Sequence, residues 1–358
     1  MKPDVYFIPI KDQEPDDVIA KKLKRVLIEK EFLNFIEEKD FVAVKTHFGE
    51  NKSKGYVRPV IFRMLADLIK KRKALPFLTE TSTLYRGRRS NAVDHLELAY
   101  DHGFTYDKVK MPIIMADGIL GDNEVSVKIK GKIYKEVNIA LEIVKVQSMV
   151  VVSHFTGHIV AGFGAALKNL GMGCSSRMGK LIQHSTAQPS VKKDKCTGCK
   201  ECERWCPTGA IKVKEGKAEI DENVCIGCGE CLAVCRFDAI YYNWGETYEN
   251  LQKKIVEHAM GVMELKKDKI IFINFLNRIT KECDCMNKYE KITEDIGVLI
   301  SYDPVAIDSA SFELVEEKSG KELKDMSFDI PNRVQLDYSE ELNFGSKDYN
   351  LIDITSVF

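Results

Sequence analysis

Eight cysteines in two matching runs are the residues of this chain best suited to chemistry. Cys196, Cys199, Cys202 and Cys206 are spaced C-x2-C-x2-C-x3-C and are followed at once by Pro207, and Cys225, Cys228, Cys231 and Cys235 repeat the spacing. Two-residue gaps let three thiolates of one tight loop converge on three irons of a cubane, while the fourth cysteine, at the start of a helix, reaches across to the other cubane. The spacing therefore predicts two interlocked 4Fe-4S clusters. Cys196, Cys199, Cys202 and Cys235 would hold one, and Cys225, Cys228, Cys231 and Cys206 the other. Gly198, Gly227 and Gly229 suit this reading, because loops wrapped around a cluster need positive φ and backbone amides aimed at sulfur. Zinc knuckles also use C-x2-C, but zinc needs only four ligands per site and gives no reason for the longer run to occur twice.

Three cysteines lie outside these runs: Cys174 in Gly-Met-Gly-Cys-Ser-Ser, and Cys283 with Cys285 in Cys-Asp-Cys. His47, His154, His158 and His184 fall at predicted strand ends or glycine turns, and the carboxyl ends of an open α/β sheet are where ligands gather. Together they suggest an additional metal site, a third iron-sulfur cluster or a zinc or iron ion, built from Cys174, Cys283 and Cys285 with His47, His154 or His158. The plainer reading makes Cys174 a small buried hydrophobe and each histidine a structural residue.

Gly162-Phe-Gly164-Ala-Ala-Leu-Lys168 follows a predicted strand and opens a helix. Leu167 stands where a dinucleotide fingerprint needs its third glycine, and no Gly-Lys-Ser/Thr follows. Free amides at that helix start, with Lys168, make Gly162, Gly164 and Lys168 a candidate phosphate or carboxylate site. Tight strand-to-helix packing explains the glycines equally well. Asp303-Pro304 has the form of an N-cap with proline at the first helical position. Asp303 or Asp308 could instead serve as a base or metal partner. Glu80 ends its strand, and Arg86, Arg88 and Arg89 read either as an anion clamp or, more commonly, as a solvated basic loop.

The elements that must position these groups alternate. Strands are predicted at Val5 to Ile10, Phe41 to Lys45, Pro76 to Thr81 and Ser148 to His154, with helices at Asp16 to Ile36, Pro59 to Lys73, Asn91 to His102 and near Gly164 to Leu170. This rhythm implies a mainly parallel sheet with helices on both faces. Residues 123 to 137 alternate around Gly131 as a hairpin does, which suggests a surface excursion. After the cysteine-rich stretch a helix is predicted at Tyr248 to Met263, then strands at Lys269 to Phe275 and Asp295 to Ser301, apolar on both faces as in a buried sheet. The organisation read from this is an α/β domain over 1–190 and 245–358, interrupted by a small cysteine-rich module over 191–244.

Lys plus Arg total 53 against 54 Asp plus Glu, so no bulk excess of charge exists to bind nucleic acid or an anionic membrane. No apolar stretch approaches the roughly 20 residues of a membrane span. A cytoplasmic location is expected, and there the cysteines are better read as metal ligands than as disulfides.

Over about fifty residues (Cys196-Thr-Gly-Cys199-Lys-Glu-Cys202-Glu-Arg-Trp-Cys206-Pro207 and its second half) the chain resembles the two-cluster bacterial ferredoxins, with Arg236 where that family often has proline. The resemblance implies a small α+β ferredoxin-like module. The remainder resembles the family catalogued as domain of unknown function 362, which often carries such an insertion. That likeness rests on Lys45-Thr-His-Phe-Gly49, on Ser153-His-Phe-Thr-Gly-His158 with Gly162-Phe-Gly-Ala-Ala-Leu-Lys-Asn169, on Cys283-Asp-Cys285 and on Asp303-Pro-Val-Ala-Ile-Asp308. The expected function is electron transfer, as an oxidoreductase whose clusters exchange electrons with a site in the α/β domain and with a partner protein or small-molecule carrier. A non-catalytic carrier, scaffold or maturation subunit is the alternative, and a shallow crevice without converging polar groups would mark it.

Overall fold

Runs such as Met149-Val-Val-Val152 and Ile270-Ile-Phe-Ile273 are apolar at every position, and a strand of that kind is stable only with both faces covered. They form the centre of a seven-stranded sheet in the computed structural model, which describes residues 2–354 except position 86 and 185–188, 226–228, 242–246 and 287–288. Its strands are β1 Asp4–Pro9, β2 Phe41–Lys45, β3 Leu75–Thr79, β4 Ser148–His154, β5 Ile270–Leu276, β6 Gly297–Ser301 and β7 Asn350–Asp353. Their order is β7-β1-β6-β5-β4-β2-β3. β3, β2, β4 and β5 run parallel, and β6 runs antiparallel to both β5 and β1. The sheet draws on both sides of the cysteine-rich stretch: β5, which follows it, pairs with β4, which precedes it, up to Phe275 beside His154.

Alternate residues feed two cores. Val42, Val44, Val150, Val152, Ile271 and Ile273 pack under helices Asp16–Glu29 and Pro59–Lys71, through residues such as Ile19, Leu23, Ile61 and Leu65. Ala43, Met149, Val151 and Phe272 face the other way, toward helices Tyr248–Lys266 and Pro304–Ser319. The first helix ends at Glu29, short of the expected Ile36, because Glu31 adopts a positive φ of 55°. Phe32, Leu33 and Ile36 stay buried from the turns that follow, so the apolar pattern continues after the helix has stopped.

The expected hairpin is present, with Glu124–Lys128 antiparallel to Glu136–Ala140, but it is not a surface excursion. Val137 and Ile139 are buried in the core beneath helix Tyr248–Lys266. Gly261 permits the approach, since a Cβ there would lie 2.4 Å from Val137 Cγ2. The hairpin turn is fixed by Glu257, a fully buried carboxylate of the same helix. It accepts the backbone N–H groups of Lys132, Ile133 and Tyr134 at 2.8, 2.8 and 2.7 Å and the Tyr338 hydroxyl at 2.7 Å.

The cysteine-rich stretch forms two small two-stranded sheets, Ile211–Lys214 with Lys217–Ile220 and Ser190–Val191 with Ile240–Tyr241, and two short helices, Glu201–Trp205 and Glu230–Val234. The fourth cysteine of each run follows its helix as the C-cap instead of starting one. Among the described residues no helix is long and apolar enough to cross a membrane.

Replacing Glu257 by alanine leaves three turn amides and the buried Tyr338 hydroxyl without their acceptor at once. The expected loss is roughly 3–5 kcal/mol of unfolding free energy, read from urea denaturation, with a smaller loss for Glu257→Gln.

Candidate functional site

Two small cavities collect the cysteines. One is lined by Cys196, Cys199, Cys202 and Cys235, and the other by Cys206, Cys225 and Cys231. Each therefore mixes both runs. Cys228 lies outside the described residues. Ile211, Ala218, Ala239 and Ile240 form a small apolar core packed with Cys196, Cys202 and Cys231. The Ala218 amide donates to Cys196 Sγ at 3.3 Å. Burial pushes the Cys206 thiol up, but the amides of Ile211, Thr208 and Ala210 and the Thr208 hydroxyl outweigh it and leave the group below its usual value. Burial, followed by the charge of Cys199, Cys196 and Cys235, pushes Cys202 up to about 11. Thiolates this crowded ionise together only around a shared cation. Gly198 sits at φ +67°, where a Cβ would lie 2.4 Å from Gly216 O, so the first cysteine loop presses directly on the neighbouring hairpin.

A second feature lies at the carboxyl ends of the parallel strands. The chain leaves β2 toward β3 and leaves β4 toward β5, so the strand order reverses between β2 and β4. Open α/β sheets present a crevice at such a point. Here it has a volume of about 500 Å³. Its floor is a buried ion pair: Lys45 Nζ donates to Glu80 Oε1 at 2.7 Å, to Asn169 Oδ1 at 2.7 Å and to Thr46 O at 3.0 Å. Arg89, also buried, donates to Glu50 at 3.0 Å and stands 3.7 Å from Glu80. Burial alone would raise the Glu80 carboxyl, but Lys45, His47, His95 and Arg89 overcome it and hold the group well below the usual range. Lys180, from helix Arg177–His184, donates to Thr81 Oγ1 and Ser175 O, and burial brings it down to about 8.

Of the residues expected to form an additional metal site, His47, His154, His158, Cys283 and Cys285 all line the crevice, as does His184, and Cys174 does not. Cys174 is fully buried in the apolar core with Sγ 3.7 Å from Asn169 O, and burial pushes its thiol up to about 11. The structure joins Cys283 to Cys285 as a disulfide, where the sequence favoured ligands. Donor atoms of His158, Cys283 and Cys285 lie within 4.8 Å of one another, a grouping that can hold a metal ion. The other two histidines are engaged: His154 contacts Asp284 Oδ2 and Asn277 O, each at 2.8 Å, and His47 accepts the Gly49 amide at Nδ1 at 2.9 Å, with Arg89 Nη1 lying 2.7 Å from its Nε2.

The expected anion cradle is already filled from within the chain. Asp308, fully buried, accepts the amides of Ala166 and Leu167 and the Asn274 side chain, each at 2.8 Å, and burial raises it to about 7. Asp308 is thus neither a crevice base nor a metal partner. Gly162 has φ +76°, and a Cβ there would lie 2.6 Å from Asn332 Cα, so it serves close packing. Gly164 lines the crevice. Lys168 does reach the crevice. Among the described residues its Nζ makes no hydrogen bond or ion pair, and burial, then the charge of Arg89, lowers it to about 8. Asp303 caps its helix by accepting the Val305 and Ala306 amides at 2.8 and 3.0 Å. The arginine run divides: Arg88 pairs with Asp101 at the surface, Arg89 is the buried crevice residue, and Arg86 lies outside the described residues. Lys180, Tyr85 and Asp284 were not expected here. Asp284 had a signal in its place between two cysteines, whereas Lys180 and Tyr85 carried none.

Fold and site together define an α/β protein with a charged crevice at its switch point and a cysteine-lined appendage beside it. The chain belongs to the DUF362 family, a domain of unknown function, matched over residues 42–313. No curated protein matches it. Among solved structures it is similar to the lactate racemase apoprotein from Thermoanaerobacterium thermosaccharolyticum, at 13% identity and a TM-score of 0.40 over 75% of this chain and 50% of that one. It is also similar to a protein from Thermotoga maritima, at 10% identity and a TM-score of 0.47 over 87% and 61%. The chain thus spans about half the length of the first and three fifths of the second.

The ion pair makes stability depend on acid. Glu80 has a depressed pKa, so its contribution is complete above the ordinary glutamate value of 4.5 and is lost as pH falls below it. Denaturation curves of Glu80→Gln should lose part of this acid-side slope. Lys45→Met, which leaves Glu80 buried with one cation fewer, should cost roughly 3–5 kcal/mol at neutral pH.

Proposed function

We propose that this chain is an iron-sulfur electron-transfer protein, an oxidoreductase in which two 4Fe-4S clusters pass electrons to or from a site in the crevice. The observation that carries this reading is the partition of the cysteines. One cavity holds Cys196, Cys199, Cys202 and Cys235, and the other holds Cys206, Cys225 and Cys231, the pattern expected when each run lends its fourth cysteine to the other's cluster. The donor set fits the group: crowded thiols whose ionisation needs a shared cation, with backbone amides on Cys196 and Cys206. When bound, the clusters supply one-electron chemistry. The protein's part is to hold them with thiolates, spread their charge over N–H donors and keep water out.

Coupling to the crevice is supported by two residues. Leu84 and Tyr85 line the crevice and also a groove that contains Cys235 and Leu232, and Leu232 packs against Leu84 and Leu181. The division into 1–190, 191–244 and 245–358 follows as the natural one, with the inserted ferredoxin-like module seated against the rim of a crevice formed by the rest. Converging polar groups favour an enzyme over a bare scaffold, and Lys168 suits an anionic substrate. A cytoplasmic setting and a redox partner, protein or small carrier, complete the reading.

Anaerobic purification with iron and sulfide analysis should give about eight irons per chain, and paramagnetic resonance during stepwise reduction should show two interacting centres. Cys235→Ser should remove the centre shared with Cys196, Cys199 and Cys202, and Cys206→Ser the other. Loss of the same centre in both variants would refute the interleaved assignment, and absence of iron and sulfide would refute the function.

A further inference from the structure

The loop after β5 carries Cys283, Asp284 and Cys285 to the crevice wall, and both cysteines line the crevice. Cys283 is buried and Cys285 half-buried, and the two are joined as a disulfide. The residue between them anchors the loop: Asp284 turns away to His154, while its carbonyl accepts the Glu50 amide at 2.8 Å. The Met286 amide donates to Cys283 O at 3.0 Å. The sulfurs are therefore held at the crevice by a tied-down backbone.

Their neighbour His158 decides between two chemistries. Its Nδ1 accepts the amides of Val160 at 3.1 Å and Ala161 at 2.9 Å. With Nδ1 accepting two backbone amides, the proton of the imidazole sits on Nε2. The remaining ring nitrogen is thus an N–H donor with no lone pair for a metal. A histidine N–H donor within 4.8 Å of the sulfur pair favours the thiolate of a reacting disulfide.

A contact path also leads here from the cysteine-rich module. Tyr85 borders the groove containing Cys235, lines the crevice, and approaches Cys285 O with its hydroxyl at 3.5 Å. Where thiols are kept reduced, a disulfide that does form is usually transient and catalytic or redox-sensing.

Building on the cluster reading above, we propose that Cys283 and Cys285 form a redox-active dithiol/disulfide that gathers electrons from the two clusters into a pair. The step balances. Each reduced cluster gives up one electron and is oxidised by one. The disulfide takes both electrons and two protons from crevice water, its S–S bond breaks, and two S–H bonds form. A one-electron carrier, protein or small molecule, recharges the clusters. The crevice thereby converts single electrons into the pairs that most small-molecule reductions require.

The test uses the whole chain, anaerobic and cluster-loaded, with reduced methyl viologen as electron source and no thiol present. Samples taken before and after reduction are labelled with N-ethylmaleimide and read by peptide mass spectrometry, and paramagnetic resonance reports the clusters in the same samples. Cys283 and Cys285 should be unlabelled before and labelled after. A coulometric titration should consume about two more electrons per chain than Cys285→Ser does. In a variant lacking one cluster, Cys231→Ser, labelling should slow markedly.

Equal labelling before and after, or no labelling although the clusters are visibly reduced, would overturn the proposal and leave the cluster reading standing. So would labelling that appears only after a chelator removes a bound metal, or an unchanged rate in Cys231→Ser. Absence of cluster signals would remove the cluster reading itself, a different failure.

Discussion

The Lys45–Glu80 ion pair is the interaction around which the crevice is built. Neither charge could be buried alone at the end of a sheet covered on both faces, and even as a pair they need further hydrogen bonds to offset lost hydration. Asn169 and Thr46 satisfy the ammonium, and Arg89 stands by the carboxylate. These contacts tie β2 to the residue just after β3 and to helix Ala166–Gly171. Asn169 extends the tie to β4 through Val152 O and Ser153 Oγ, both at 3.0 Å. The elements that form the crevice walls are thus linked through one charged cluster. A site that must present cations and sulfurs to a ligand at fixed positions gains from such a rigid floor.

Self-satisfaction limits where a ligand can be held. Asp308 fills the amides at the start of helix Ala166–Gly171, Asp284 and Asn277 occupy His154, and Gly49 and Arg89 occupy His47. Among the described residues, Lys168 lines the crevice with no hydrogen bond or ion pair of its own, beside the Cys283–Cys285 pair.

Much of this was legible in the sequence because it depends on local pattern. The two cysteine runs stand out by their spacing alone, and the strands buried on both faces announce themselves as unbroken apolar runs. His47 and His154 fall at the ends of β2 and β4, because the carboxyl edge of a parallel sheet follows from the alternation of elements. What failed depends on partners far away in the chain. The Asp308 carboxylate reaches amides 142 and 141 residues earlier, and nothing in the local sequence signals that the Ala166 and Leu167 amides are taken. Residues 123–137 alternate as an exposed hairpin would, but helix Tyr248–Lys266, more than a hundred residues later, covers them. Cys174 looked like a ligand by residue type alone, and its apolar surroundings come from strands and helices across the fold.

The point of insertion gives the arrangement its logic. The cysteine-rich stretch leaves the α/β fold after helix Arg177–His184 and returns before helix Tyr248–Lys266. Both helices contribute to the crevice, the first through Lys180 and His184 and the second through Leu251. A module attached at those two ends is held near the crevice by its own connections, before any surface contact forms. Leu181 and Leu84 then receive Leu232, which directly follows the cavity-lining Cys231. A terminal fusion on a free linker would have to find that contact by diffusion. Two covalent connections make it intramolecular, at high effective concentration.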